Sequence, residues 1–151
     1  MSNLNKKVDL NQLLPQQLVE FRKSIDQEIN HFTQSLQALQ TAQSKLKDCI
    51  SSVESMEKST NDELLVPLTS SLYLPGKITT KDQYLVDIGT GYFVEKLADD
   101  AKKVYETKIN KLNDDSSKLK SILVQKNEIL NNINLVLRKK MIEYEKQEEK
   151  S

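Results

Sequence analysis

The sequence predicts a mainly α fold: a long antiparallel coiled-coil hairpin with two β-hairpins inserted between its helices. Three observations carry this. Apolar residues recur every seven positions on both sides of a central stretch, the repeat of helices that bury one narrow seam. All three glycines and two of the three prolines fall within residues 64–96, LLVPLTSSLYLPGKITTKDQYLVDIGTGYFVEK, where β-rich runs alternate with Ser, Asp and Gly turns. Of the 151 residues, 37% are apolar, 29% are charged and none is tryptophan, too little apolar material for a compact α/β core but enough for long amphipathic helices.

A single domain is expected. Residues 1–13 are polar and read as a loose N-terminus. Helix 1 is placed over 14–58, because Pro15 suits a first helical position whose N–H would lack a partner anyway. Its seam is Leu18, Ile25, Phe32, Leu39, Leu46 and Val53, with Arg22, Ile29, Leu36, Gln43, Ile50 and Glu57 four residues further on in each heptad. Ser59-Thr60-Asn61-Asp62 breaks the repeat. Helix 2 is placed over 97–146, with Tyr105, Leu112, Leu119, Lys126, Ile133 and Lys140 as one series and Ile109, Ser116, Leu123, Leu130, Leu137 and Tyr144 as the other. Residues 147–151 read as a loose C-terminus. At about 1.5 Å per residue each helix spans ~60–70 Å.

Equal arms joined by a short insert suggest an antiparallel pair. The register in which facing residue numbers sum to 162 sets Leu18 on Tyr144, Ile25 on Leu137, Ile29 on Ile133, Phe32 on Leu130 and Ile50 on Leu112. It also sets Arg22 against Lys140, a like-charge pair that opposes closure. The expectation is therefore that the helix ends splay. Leu18, Phe21, Ile25, Val136, Leu137, Met141 and Tyr144 would then offer an apolar surface to another molecule.

Four strands are expected in the central stretch: Leu65–Thr69, Leu72–Thr79, Tyr84–Gly89 and Tyr92–Lys96. Thr69-Ser70-Ser71 and Gly89-Thr90-Gly91 would close two hairpins. Hairpins are marginal alone in water, and their unpaired edges invite another chain. Val66, Leu68, Leu72, Leu74, Leu85, Val86, Ile88, Tyr92 and Val94 are therefore candidate subunit-assembly residues. Pro67 and Pro75 limit that pairing, since each removes a ladder donor.

Chemistry is hard to find. Twenty-two basic residues balance 22 acidic ones, so no net field draws the chain to nucleic acid or to an anionic membrane. Cys49 is the sole cysteine, which rules out a disulfide framework within the chain, and His31 is the sole histidine; no metal or cofactor site is expected. No apolar run approaches a membrane span, so a soluble intracellular protein is expected. Val86-Asp87-Ile88-Gly89-Thr90-Gly91 is similar to the first phosphate loop of actin-like ATPases. Those enzymes need two large lobes, so a hairpin turn is the better reading. Arg138-Lys139-Lys140 reads as a solvated helix face, and Asp99-Asp100 and Asp114-Asp115 as helix surface. An enzyme is not expected.

Residues 65–77, LVPLTSSLYLPGK, and 85–96, LVDIGTGYFVEK, closely resemble the hairpin region of α-class prefoldin subunits, as does the Ala98-Asp99-Asp100-Ala101 entry to helix 2. The resemblance covers nearly the whole chain, and the hairpin strings are its specific part. It implies that two α-class subunits pair with four β-class subunits through a double β-barrel. The tips of six coiled coils would hold unfolded polypeptides, actin and tubulin among them, and pass them to the cytosolic group II chaperonin without ATP. It further implies a cytoplasmic location, with a nuclear pool left open. A structural coiled-coil subunit of a prefoldin-like scaffold or regulatory complex is the alternative.

Overall fold

The computed structural model describes residues 9–151. The part of the expected loose N-terminus before Asp9 lies outside the described residues. The element order is a 3-10 turn (Leu10–Gln12), α1 (Pro15–Lys58), β1 (Glu63–Pro67), β2 (Tyr73–Lys77), β3 (Gln83–Gly89), β4 (Tyr92–Leu97) and α2 (Ala98–Glu149). Two long helices with two small antiparallel hairpins between them agree with the predicted fold class. The described residues form two compact units, one made of those up to Ala38 together with Asp115–Ser151, the other Leu39–Asp114.

Residues 9–13 are not loose. The Asp9 carboxylate accepts from the Asn11 N–H at 3.1 Å and opens the 3-10 turn. Leu10 and Leu13 then pack on the apolar cluster of Leu18, Ile25, Ile133 and Leu137. The signal was local: an aspartate before an apolar i, i+3 pair caps a turn and gives it a face to bury. α1 starts at Pro15, and the Gln17 side chain reaches back to accept from the Leu14 N–H at 3.0 Å, half of a capping box. At the other end of the chain α2 persists to Glu149, three residues past the expected stop, because no Gly or Pro ends it.

The helix pair is antiparallel in each unit, but in a register one heptad away from the expected one. In unit 1 the Lys126 ammonium meets the Glu28 carboxylate at 2.6 Å, and Lys140 donates to the Leu13 carbonyl. In unit 2 Lys102 meets Glu57 at 2.9 Å and Gln43 donates to Asn113. Facing numbers thus sum to between 153 and 159, where 162 was expected. An antiparallel pair shifted by seven residues still sets one apolar series on the other, so hydrophobic spacing alone leaves both registers open. Polar partners separate them. The expected register opposed Arg22 and Lys140, whereas the observed one gives Lys140 a carbonyl and Lys126 a carboxylate. Leu18 belongs with Ile133 and Leu137, and not with Tyr144. The shift also leaves the end of α2 beyond Lys140 exposed on all sides.

The strands sit closer to the helices than expected. β1 begins at Glu63 and stops at Pro67, opposite Tyr73, where the missing N–H of Pro67 falls on the outer edge and not on the β2 side. Residues 68–72 form the loop, in which the Thr69 hydroxyl accepts from the Leu72 N–H at 3.1 Å and the Leu68 N–H donates to the Leu72 carbonyl at 2.9 Å. β3 and β4 meet through Thr90 and Gly91, whose φ values of 49° and 80° are those of a type I′ turn. Gly89, at φ 125°, absorbs a bulge there, and the Asp87 carboxylate accepts from its N–H at 2.9 Å. Lys81 ties the connector down, pairing with Asp62 at 2.8 Å and donating to the Ser59 carbonyl at 2.6 Å.

Candidate functional site

The first hairpin has no inner face. β1 and β2 pair Glu63 with Lys77, Leu64 with Gly76, Leu65 with Pro75, Val66 with Leu74 and Pro67 with Tyr73. Alternation puts Leu64, Val66 and Leu74 on one side and Leu65 and Tyr73 on the other, and all five are exposed. Leu68 and Leu72 in the loop are exposed too. A ribbon apolar on both faces cannot be satisfied by folding against one element of its own chain. Gly76 has a packing reason: a Cβ there would lie 2.9 Å from Val66 Cγ2.

The second hairpin does have two distinct faces. Tyr84, Val86, Val94 and Lys96 share one, with Val86↔Val94 and Tyr84↔Lys96 opposite each other. Val86 is 1% exposed and Tyr84 is half-buried, so this face turns into unit 2. The Tyr84 hydroxyl is enclosed without a hydrogen-bond partner; desolvation first, then Glu57 and Asp82, push its pKa up. Leu85, Phe93 and Leu97 share the opposite face and are all exposed. Among the nine expected assembly residues, Val66, Leu68, Leu72, Leu74, Leu85, Ile88, Tyr92 and Val94 are therefore on the surface. Val86 is corrected to a core residue of its own chain. Phe93, Leu97, Leu64, Leu65 and Tyr73 were missed as surface candidates, and strict alternation across the paired register would have found Phe93 and Leu97 beside Leu85.

The helix ends do not splay. Leu18 is fully buried, Ile25 and Leu137 are buried with it, and Phe21 and Val136 pack half-buried against the cluster. Those five belong to the seam because the observed register gives it matched apolar partners and removes the like-charge pair. Met141 and Tyr144, 61% and 59% exposed, lie past the seam with Leu14 and Ile142, and Val19 is exposed alongside it. A half-open groove lined by Leu14, Pro15, Gln16, Met141, Tyr144, Glu145 and Glu148 is the apolar surface this end offers.

Other singled-out residues take structural places. His31 is exposed with its ring 5.7 Å from Phe32. Cys49 is half-buried; burial first and then the nearby Cys49 raise the Tyr105 pKa. No group of three or more His, Cys, Asp or Glu side chains converges to hold a metal among the described residues, and no helix is long and apolar enough to cross a membrane.

The fold has known relatives. The prefoldin subunit family model matches residues 25–143, across both helices and both hairpins. The chain belongs to the prefoldin family. It is 45% identical over 111 residues to a probable prefoldin subunit 5 of Schizosaccharomyces pombe, covering 72% of each chain. It is 37% identical to human prefoldin subunit 5, over 79% of this chain and 78% of the relative. The Arabidopsis thaliana prefoldin subunit 5 is 32% identical over 93% of this chain and 94% of its own. Among solved structures, a chain of filamentous prefoldin from Methanocaldococcus jannaschii superposes with a TM-score of 0.68 at 18% identity, over 77% of this chain and 97% of that one. Prefoldins are chaperone-type coiled-coil proteins that act in protein folding, and the two-hairpin layout of this chain is that of the α-class.

Proposed function

We infer that this chain is an α-class subunit of a heterohexamer of two α and four β prefoldin subunits, docked through its two hairpins. The complex would hold non-native polypeptides of the actin and tubulin type at its coiled-coil ends and transfer them to the cytosolic group II chaperonin without ATP. The cytoplasm is the expected site of action. The observation that carries the assembly half is the first hairpin, whose Leu64, Val66 and Leu74 face and Leu65 and Tyr73 face are both bare. Apolar surface on two sides of one ribbon needs neighbours on both. Support for the holding half is narrower: Leu14, Met141 and Tyr144 stand exposed at the far end of α2. Each contact there would be weak, and several tips on one client would raise the effective concentration.

The closed seam favours the scaffold alternative to one extent, since Leu18, Ile25 and Leu137 are spent on the helix pair. Co-expression with α- and β-class partners, native mass and an aggregation assay on denatured actin separate the two. A heterohexamer that suppresses aggregation at low molar ratio supports the chaperone reading. A defined complex that lets actin aggregate refutes it and leaves the scaffold.

A further inference from the structure

Met141 lies between two grooves of opposite charge, all within unit 1. One, of 380 Å³, is lined by Val19, Arg22, Asn134, Leu137, Arg138 and Met141. Val19 and Met141 are exposed and form its apolar surface, and Arg22 and Arg138 rise beside them from α1 and α2. No carboxylate lines that groove, and neither arginine has an ion-pair partner among the described residues. The other, of 430 Å³, has Leu14, Pro15, Met141 and Tyr144 as apolar lining with Glu145 and Glu148 at its rim. No Lys or Arg lines it, and neither glutamate is ion-paired among the described residues.

Apolar contact alone is non-directional and discriminates poorly between unfolded chains. Fixed charges of opposite sign on either side of one methionine discriminate by matching and by repulsion. On the basis of the client-holding reading, we propose that this tip selects segments by charge order. The segment it favours has an apolar stretch over Met141, a carboxylate at one end beside Arg22 and Arg138, and a basic group at the other beside Glu145 and Glu148. Arginine suits the first position, because its planar fork takes a carboxylate through two parallel hydrogen bonds. From Arg138 to Glu145 is about 10 Å along α2 at ~1.5 Å per residue. An extended segment advances roughly 3.3 Å per residue, so its opposite charges stand about three residues apart. Exposed pairs are weak, and each matched end is expected to tighten binding by about threefold, both together by about tenfold.

The test uses the assembled complex and fluorescein-labelled peptides with one apolar core of leucine, valine and phenylalanine. Their ends are glutamate with lysine, glutamate at both, lysine at both, or uncharged. Anisotropy titrations should rank the mixed peptide about tenfold tighter than either single-sign peptide. In Arg22→Glu with Arg138→Glu, checked for native mass, the preference should move to the peptide with lysine at both ends. If that variant fails to assemble, Arg22→Gln with Arg138→Gln should instead make the mixed peptide and the peptide with lysine at both ends bind equally, both still ahead of the peptide with glutamate at both. Equal binding of all four peptides, or an unchanged ranking in the variants, overturns the charge-order proposal while client holding stands. Failure of every peptide to bind the complex overturns the client-holding reading itself.

Discussion

Replacing Leu18 and Tyr144 separately with Ala measures the register of the helix pair in unit 1. Leu18 is fully buried in the cluster with Ile25, Ile133 and Leu137, whereas Tyr144 is 59% exposed. Leu18→Ala deletes three carbons, about 2 kcal/mol of transfer free energy at ~0.8 kcal/mol per methylene. A residual cavity would add to this, but a two-helix seam can partly collapse, so a total of about 2–3 kcal/mol is expected, the low end for buried leucines. That is a roughly 30- to 150-fold rise in the local opening constant. Tyr144→Ala should cost less than about 0.5 kcal/mol, as surface substitutions do. The assay is hydrogen exchange with mass spectrometry on peptides from the Leu18–Ile29 and Ile129–Leu137 segments, in each variant and in the double variant. Protection should fall in Leu18→Ala, stay unchanged in Tyr144→Ala, and show no coupling between the two. Comparable losses with a coupling above about 0.5 kcal/mol would mean that the two side chains touch, and would refute the observed register.

Four further outcomes are expected. Ser116 is buried with its hydroxyl unpartnered, so Ser116→Ala should raise the thermal midpoint, by about 1 kcal/mol of stability from the lost polar burial and the better helix former. Leu85→Asp should abolish hexamer formation by native mass with the helical dichroism of the free chain intact, while Val86→Asp should lower that signal as well, because Val86 is core. Gly76→Ala should weaken the first hairpin by about 1 kcal/mol and slow assembly, because the new methyl meets Val66. Alkaline pH should destabilise unit 2: Tyr84 and Tyr105 are raised above 10.0 by burial, and Lys102 above 10.5 chiefly by its hydrogen bond to Glu57. In each case the unfolded chain loses its proton first, so stability falls as pH climbs past about 10; melting midpoints across that range should drop, and less steeply in Tyr84→Phe.

Element types and their order are legible in the sequence. Heptad spacing is a local property that holds wherever the helix is put, and Gly89, Thr90 and Gly91 constrain backbone angles whatever surrounds them. It also marked most of the surface hairpin residues, since exposed apolar side chains such as Leu68, Leu74 and Tyr92 are legible as apolar whether or not a partner covers them. Which of several equivalent apolar pairings is realised depends on contacts between distant parts of the chain. A seven-residue slide maps Leu18 from Tyr144 to Leu137 without changing the pattern. The choice rests on Glu28 with Lys126, Gln43 with Asn113, and Lys140 on the Leu13 carbonyl. That choice also settled which tip residues are seam and which are surface. The same holds for Val86: its strand alternation was readable, but the face that turns inward is set by what the hairpin packs against.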